Sequence, residues 1–202
     1  MADMSMARIA KRGVVGTFDP RGRDDRLQFW LYFAMVFAPM IFVQFVAQMV
    51  LTFPTIDPSL TAEANTAAID RKMFGAIGTS GYLNLACHLI AAVLLLSATA
   101  RRLHDRGRAG WWALIFPSAV LAAGLDQARR MDVMAGHMAR MTTEMRKAPP
   151  EPIEMLSFPA ELQAAMPGPS WPAIVAGIAM LWLAIELLRA GTPGDNRFGP
   201  QP

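Results

Sequence analysis

From Phe29 to Phe53 the chain runs for 25 residues without a charged side chain. As a helix rising ~1.5 Å per residue, this stretch reaches ~37 Å, against ~30 Å for the hydrocarbon of a bilayer. In lipid the backbone must satisfy its own hydrogen bonds, and a helix does so within one segment. Three further runs follow. Gly81 to Ala100 is uncharged, Gly110 to Leu125 is shorter, and Trp171 to Ile185 continues through Glu186 to Arg189. The pattern predicts an all-α integral membrane four-helix bundle, one domain over 1–202, with spans at about 29–53, 81–100, 110–125 and 171–188. The third run gains length at both ends, from Trp111 and Trp112 at one interface and Asp126 at the other. The alternative for the third and fourth runs is a pair of buried or re-entrant helices. Pro39 and Pro117 predict kinks in spans one and three. The polar first 28 residues and the long first run predict a retained anchor rather than a cleaved signal peptide.

Composition agrees. Hydrophobic residues make up 53% and charged residues 17%, with mean hydropathy +0.29. A typical soluble domain is roughly 25% charged. This composition excludes intrinsic disorder. The single cysteine, Cys87, excludes an internal disulfide and a CxxC metal framework. No cofactor and no metal site are predicted.

Orientation follows from Lys and Arg near the runs. Residues 1–28 hold Arg8, Lys11, Arg12, Arg21, Arg23 and Arg26. The short loop between runs two and three holds Arg101, Arg102, Arg106 and Arg108, and the tail holds Arg189 and Arg197. The loop from 126 to 170 is much sparser in cations. Both termini are therefore predicted to be cytoplasmic, and the pI of 9.5 is mainly a topological signal. The predicted partners are the bilayer and its anionic phospholipids, attracted at about 1 kcal/mol per surface cation. A membrane-protein partner or homo-oligomer stays open. No nucleic-acid recognition motif is present, and nucleic acid is not a predicted partner.

Three segments on the predicted cytoplasmic side are specific. They are Phe18-Asp-Pro-Arg-Gly-Arg-Asp-Asp-Arg-Leu-Gln-Phe-Trp30, Arg101-Arg-Leu-His-Asp-Arg-Gly-Arg-Ala-Gly-Trp-Trp112 and Gly191-Thr-Pro-Gly-Asp-Asn-Arg-Phe-Gly-Pro200. In this order around hydrophobic spans, they resemble the domain of unknown function 805 family, the YhaH-like small bacterial inner-membrane proteins. The resemblance implies topology and the bacterial inner (plasma) membrane as compartment. It implies no reaction.

The middle segment admits three readings. In the first it is a topological hairpin: Arg101 and Asp105 pair at i,i+4, Gly107 and Gly110 allow the reversal, and Trp30, Trp111 and Trp112 anchor at headgroup level. In the second, Arg23, Arg26, Arg101, Arg102, Arg106 and Arg108 converge on a phosphate-bearing headgroup, with Asn196 and Arg197 closing over it. In the third, a membrane enzyme uses His104 as general base with Asp105 beside it on a phosphorylated lipid. Neighbours on a helix do not face each other, which disfavours that pair.

Two other patterns stand out. Gln44 and Gln48 on span one, and Asn84 and His88 on span two, form polar i,i+4 stripes that meet in the outer half of the bundle. Interhelical hydrogen bonding is one explanation, and a small transporter or channel component is the other. One turn from the inner end of span four Glu186 snorkels or pairs with a middle-segment arginine, and Ala173 with Gly177 permits close helix packing on the same span. Met131, Met134, Met138, Met141 and Met145 step by 3 and 4 opposite Arg129, Arg140 and Lys147. This predicts an outer amphipathic helix over about 126–147, followed by a Pro-rich linker over 148–170. Its methionines suit a packing seam, with Cu(I) as the alternative.

Overall fold

A computed structural model describes residues 6–53, 56–147, 158–165 and 168–202. Among these the chain is all-helical. It contains α1 (Met6–Val15), α2 (Arg26–Thr52), α3 (Ala62–Asp105), a 3₁₀ turn (Gly110–Leu114), α4 (Ile115–Lys147), α5 (Phe158–Ala165) and α6 (Trp171–Leu188). The only extended pairing among them is an isolated bridge between Asn196 and Gly199.

The helix ends follow local chemistry. Asp25 caps α2 by accepting from the Gln28 amide at 2.7 Å, and Thr61 caps α3 by accepting from the Ala64 amide at 3.2 Å. At the other end of α3, Gly107 takes φ +70°, a left-handed conformation natural to glycine. The Arg108 amide then reaches back to the Leu103 carbonyl at 2.8 Å and the Gly107 amide to His104 at 2.9 Å. That wrapping closes α3 and turns the chain into the 3₁₀ turn.

α2 packs on α3, α3 on α4, and α4 on α6. The core holds Phe29, Tyr32, Ala92, Leu95, Leu103, Phe116 and Leu183. Phe33 and Phe37 stack at 4.3 Å along α2. The outward faces are apolar as well: Phe42, Phe45 and Val50 on α2 and Val175, Ile178 and Leu181 on α6 are all exposed. Water would not favour so broad an apolar surface, whereas hydrocarbon does. Three helices, α2, α3 and α6, are long and apolar enough to cross a membrane.

The structure corrects several expectations. α4 is not among those three helices, and the third run and the outer amphipathic helix are one continuous element. Residues 110–114 form the 3₁₀ turn, and no break occurs near Asp126. The charges that begin there change the polarity of the helix surface without lowering helix propensity, because Ala, Met, Arg and Lys continue it. Pro117 occupies the first turn of α4, where its missing amide costs nothing, so no kink is required. Pro39 does lie inside α2.

α3 also extends well beyond the apolar run. Its 44 residues reach about 66 Å, twice the hydrocarbon thickness. The stretch before Gly81 pairs with the second half of α4 as a projecting antiparallel arm. Arg146 binds Asp70 near its tip. At its base, Gly81 lies so close to Ala128 that a Cβ there would sit 2.8 Å from the Ala128 Cα. Met131 packs against Ser80, and all five stripe methionines are half-buried while Arg129, Arg140 and Lys147 are exposed. The stripe is thus a packing face. The expected linker contains α5, while 148–157 and 166–167 lie outside the described residues. At its end Ser170 caps α6 and donates to Asp126, which holds that carboxyl below its ordinary value, with Arg130 assisting.

Gly177 has open space around it, so the small-residue pair on α6 mediates no close packing among the described residues.

Candidate functional site

All three motifs gather at one end of the helices. α2 and α4 start there and α3 and α6 finish there, so the entry segment, the middle segment and the tail become neighbours.

Two buried carboxylates organise this end. Asp105 Oδ1 accepts from Arg23 Nε at 3.1 Å and Nη2 at 2.8 Å, and its Oδ2 accepts from Arg102 Nη1. Arg23 spends its remaining donors on the tail, reaching the Gly194 carbonyl at 2.7 Å and the Thr192 carbonyl at 2.8 Å. Arg102, fully buried, donates to the Leu187 carbonyl at 3.1 Å and to the Arg189 carbonyl. Asp24 binds Arg101 Nε at 2.7 Å and Arg12 at 2.9 Å. Arg101 Nη1 adds the Gly16 and Asp19 carbonyls at 2.8 and 2.7 Å. The tail is also tied by its backbone, since the Thr192 amide donates to the Asp105 carbonyl at 2.8 Å. Asn196 Nδ2 donates to the His104 carbonyl at 3.0 Å. In this network Arg23 and Asp105 stand 82 positions apart in sequence, and Asp24 and Arg101 stand 77 apart. Buried charges persist only when paired and hydrogen-bonded, and these are.

The local pairing of Arg101 with Asp105 does not form. Asp105 takes Arg102 at i,i+3 instead, and Arg101 turns to Asp24.

His104 and Asp105 point to different surroundings. The His104 ring stacks on Phe198 at 4.0 Å, and its Nδ1 lies 3.2 Å from the Gly22 carbonyl, which makes Nδ1 the donor. Arg197 covers the same Phe198 ring at 4.6 Å. His104 lies beyond the apolar run, which ends at Ala100. Burial pulls its pKa below the ordinary 6.5, the Gly22 bond opposes this, and Arg197 adds to it. With the folded value below 6.5, the stabilisation is full above pH 6.5 and is lost as pH falls through the folded value. Melts at pH 7.5 and 5.5 are expected to show a drop for the parent protein. Under His104→Gln the imidazole contribution to that drop disappears; an unchanged drop would contradict this assignment.

A second cluster is more open. Glu186, 3% exposed on α6, lies 3.4 Å from Arg108, 3.2 Å from Arg189 and 3.7 Å from Arg106. Arg108 and Arg189 are about half exposed. Three cations against one carboxylate leave two positive charges at the surface. In the sequence Arg189 counts only as a topological cation of the tail and not as part of the anion site, although its i,i+3 spacing from Glu186 is visible there. Arg26 and Arg197 are exposed nearby on the same end. Trp111 and Trp112 stack at 3.9 Å, with Trp111 exposed and Trp112 against Trp182. Trp30 is half-buried between Phe29 and Phe33.

Residues 17–200 match the family model described as "Protein of unknown function (DUF805)". The chain belongs to the DUF805 family. The match begins just after α1 and takes in all three motifs, so the interlocked end lies within the DUF805 region. No curated protein and no solved structure matches the chain.

Farther along the helices, the polar stripes meet. Gln44 Nε2 lies 3.3 Å from His88 Nδ1, which is also 2.7 Å from the Asn84 carbonyl. Gln48 instead bonds Thr52 on its own helix. A cavity of about 480 Å³ beside Gln44 is lined by Asn84, His88 and Gln127 over a floor of Gly81 and Gly124.

Proposed function

We propose that this DUF805 protein is a non-enzymatic, four-crossing protein of the bacterial inner membrane. Its termini are cytoplasmic, and its motif end binds the phosphate of an anionic lipid headgroup. The fourth crossing is the first half of α4. α2 leads away from the motif end and α3 and α6 both lead back to it, so α4 must return the chain to the far end. The interlocked motifs fold that end, and binding is left to the cations outside the lock: Arg106, Arg108 and Arg189, with Arg26 and Arg197 at the margin. Trp30, Trp111 and Trp112 mark the headgroup level.

The observation that carries this reading is the triple-arginine cluster on Glu186. Guanidinium groups pair with phosphate through two parallel hydrogen bonds, and two of these three are open to solvent. Arg108→Gln and Arg189→Gln are each expected to weaken phosphatidylglycerol binding about 5-fold, corresponding to about 1 kcal/mol per cation. Titration of short-chain phosphatidylglycerol into the purified protein measures this. Unchanged affinity in both variants would overturn the reading.

A small transporter or channel component is a second reading, favoured by the polar cavity beside Gln44 and His88. There, His88→Leu is expected to abolish any flux in proteoliposomes while leaving lipid binding intact. Flux unaffected by this change would remove the transport reading.

A further inference from the structure

The projecting arm carries a groove that no other part of the account uses. It has a volume of about 970 Å³ and lies between α3 and α4, beginning at Tyr82 where the apolar run of α3 begins. Its floor is made of small residues. Gly75 and Gly136 have nothing within 4 Å of an added Cβ, so the space above them is empty.

The antiparallel register sets the height of each wall residue. Gly81 faces Ala128, Gly78 faces Asp132 and Ala135, and Asp70 reaches Arg146. Arg71 and Arg140 therefore stand at nearly the same level, on opposite walls and away from the apolar runs. Both are exposed, and neither has an ion-pair partner among the described residues. Below them His137 lines the groove, and its Nε2 is buried with no hydrogen-bond partner among the described residues. A buried ring nitrogen without a partner is costly, so the ring gains by turning that nitrogen toward a ligand group in the groove. Among the described residues Asp132 is the one carboxylate lining the groove, so the two arginines leave an excess of positive charge. Nearer the membrane the lining is mainly apolar and aromatic, with Phe74, Val133 and Tyr82 beside Thr79 and that carboxylate.

The groove is thus polarised along its length, with cations farthest from the bilayer and apolar surface nearest it. We propose that it binds an anionic amphiphile. The oxyanion group sits between Arg71 and Arg140 within reach of His137, and the apolar body lies over Gly75 and Gly136 toward Tyr82. Paired guanidiniums recognise a phosphate or carboxylate, and the apolar lower half distinguishes an amphiphile from a free anion.

The test uses full-length protein in detergent carrying Arg108→Gln and Arg189→Gln, so that binding at the motif end is suppressed. The probes are dihexanoylphosphatidylglycerol, dihexanoylphosphatidylcholine and inorganic phosphate, followed by calorimetry. The phosphatidylglycerol is expected to bind at least about 10-fold more tightly than either other probe, the scale of one lost charge-assisted contact. Adding Arg71→Gln with Arg140→Gln should erase that preference. Gly136→Leu, which fills the groove without touching a charge, should weaken binding of the phosphatidylglycerol to a similar extent. Equal binding of phosphatidylcholine, equal binding of inorganic phosphate, or indifference to both groove variants would each overturn the proposal. These outcomes do not depend on the motif-end site, whose failure is read from Arg108→Gln and Arg189→Gln in the otherwise native protein.

Discussion

Asp105→Ala is expected to destabilise the protein by about 3–5 kcal/mol, because it strands two buried guanidiniums at once. Arg23 and Arg102 are 3% and 0% exposed, and among the described residues Asp105 is the only carboxylate that either binds. Neither can swing to water, since their other donors are fixed on the carbonyls of Thr192, Gly194, Leu187 and Arg189. Typical domains are stable by 5–15 kcal/mol, so this one change removes a large fraction. Unfolding in a single detergent measures it. Asp19→Ala is the control: the exposed Asp19 carboxylate accepts, among the described residues, only from the nearby Arg21 amide, and the Asp19 carbonyl that Arg101 binds is kept. Its expected effect stays within about 0.5 kcal/mol. Similar losses for the two variants would contradict the buried network.

Gly191→Ala is expected to be the next most damaging change. A Cβ at Gly191 would overlap the Asp105 carboxylate, including the oxygen that binds Arg102. Either the tail lifts or the carboxylate moves, and both break the lock. Overpacking of this kind costs about 1–3 kcal/mol. Gly177→Ala on α6 supplies the contrast, because nothing lies within 4 Å of its added Cβ. There the helix is expected to gain about 0.5–1 kcal/mol. Comparing unfolding midpoints decides it. Equal responses at the two glycines would mean that the tail does not press on Asp105.

The apolar runs made α2, α3 and α6 legible in the sequence, because hydrocarbon imposes length and lack of charge directly on a helix. The contact between Gln44 and His88 was legible for the same reason: depth along a spanning helix can be counted. The packing role of the methionines followed from their periodicity. The pairings at the motif end were not legible. Spacing suggested Arg101 with Asp105, but local arithmetic sees only neighbours on one helix. Asp24 and Arg23 arrive from about eighty residues away and win those partners. A dense cluster of arginines reads equally well as a ligand site or as a network of buried ion pairs, and only geometry separates the two. The continuity of α4 was hidden by a change in polarity at Asp126 that is a change of surroundings, not of backbone. α1 also went unread. It is short, its packing rests on Ile9 and on Gly13 lying against Tyr32, and neither residue stands out by composition.

Buried ion pairs between distant motifs, rather than each motif alone, hold this end together. A double-mutant cycle on Arg23→Met and Asp105→Leu tests it most directly, read as unfolding free energy in one detergent. The expected result is severe single variants and a double variant milder than their sum, with a coupling above about 1.5 kcal/mol. Additive losses, with coupling near zero, would mean that the two residues stabilise the protein separately and that the lock does not exist.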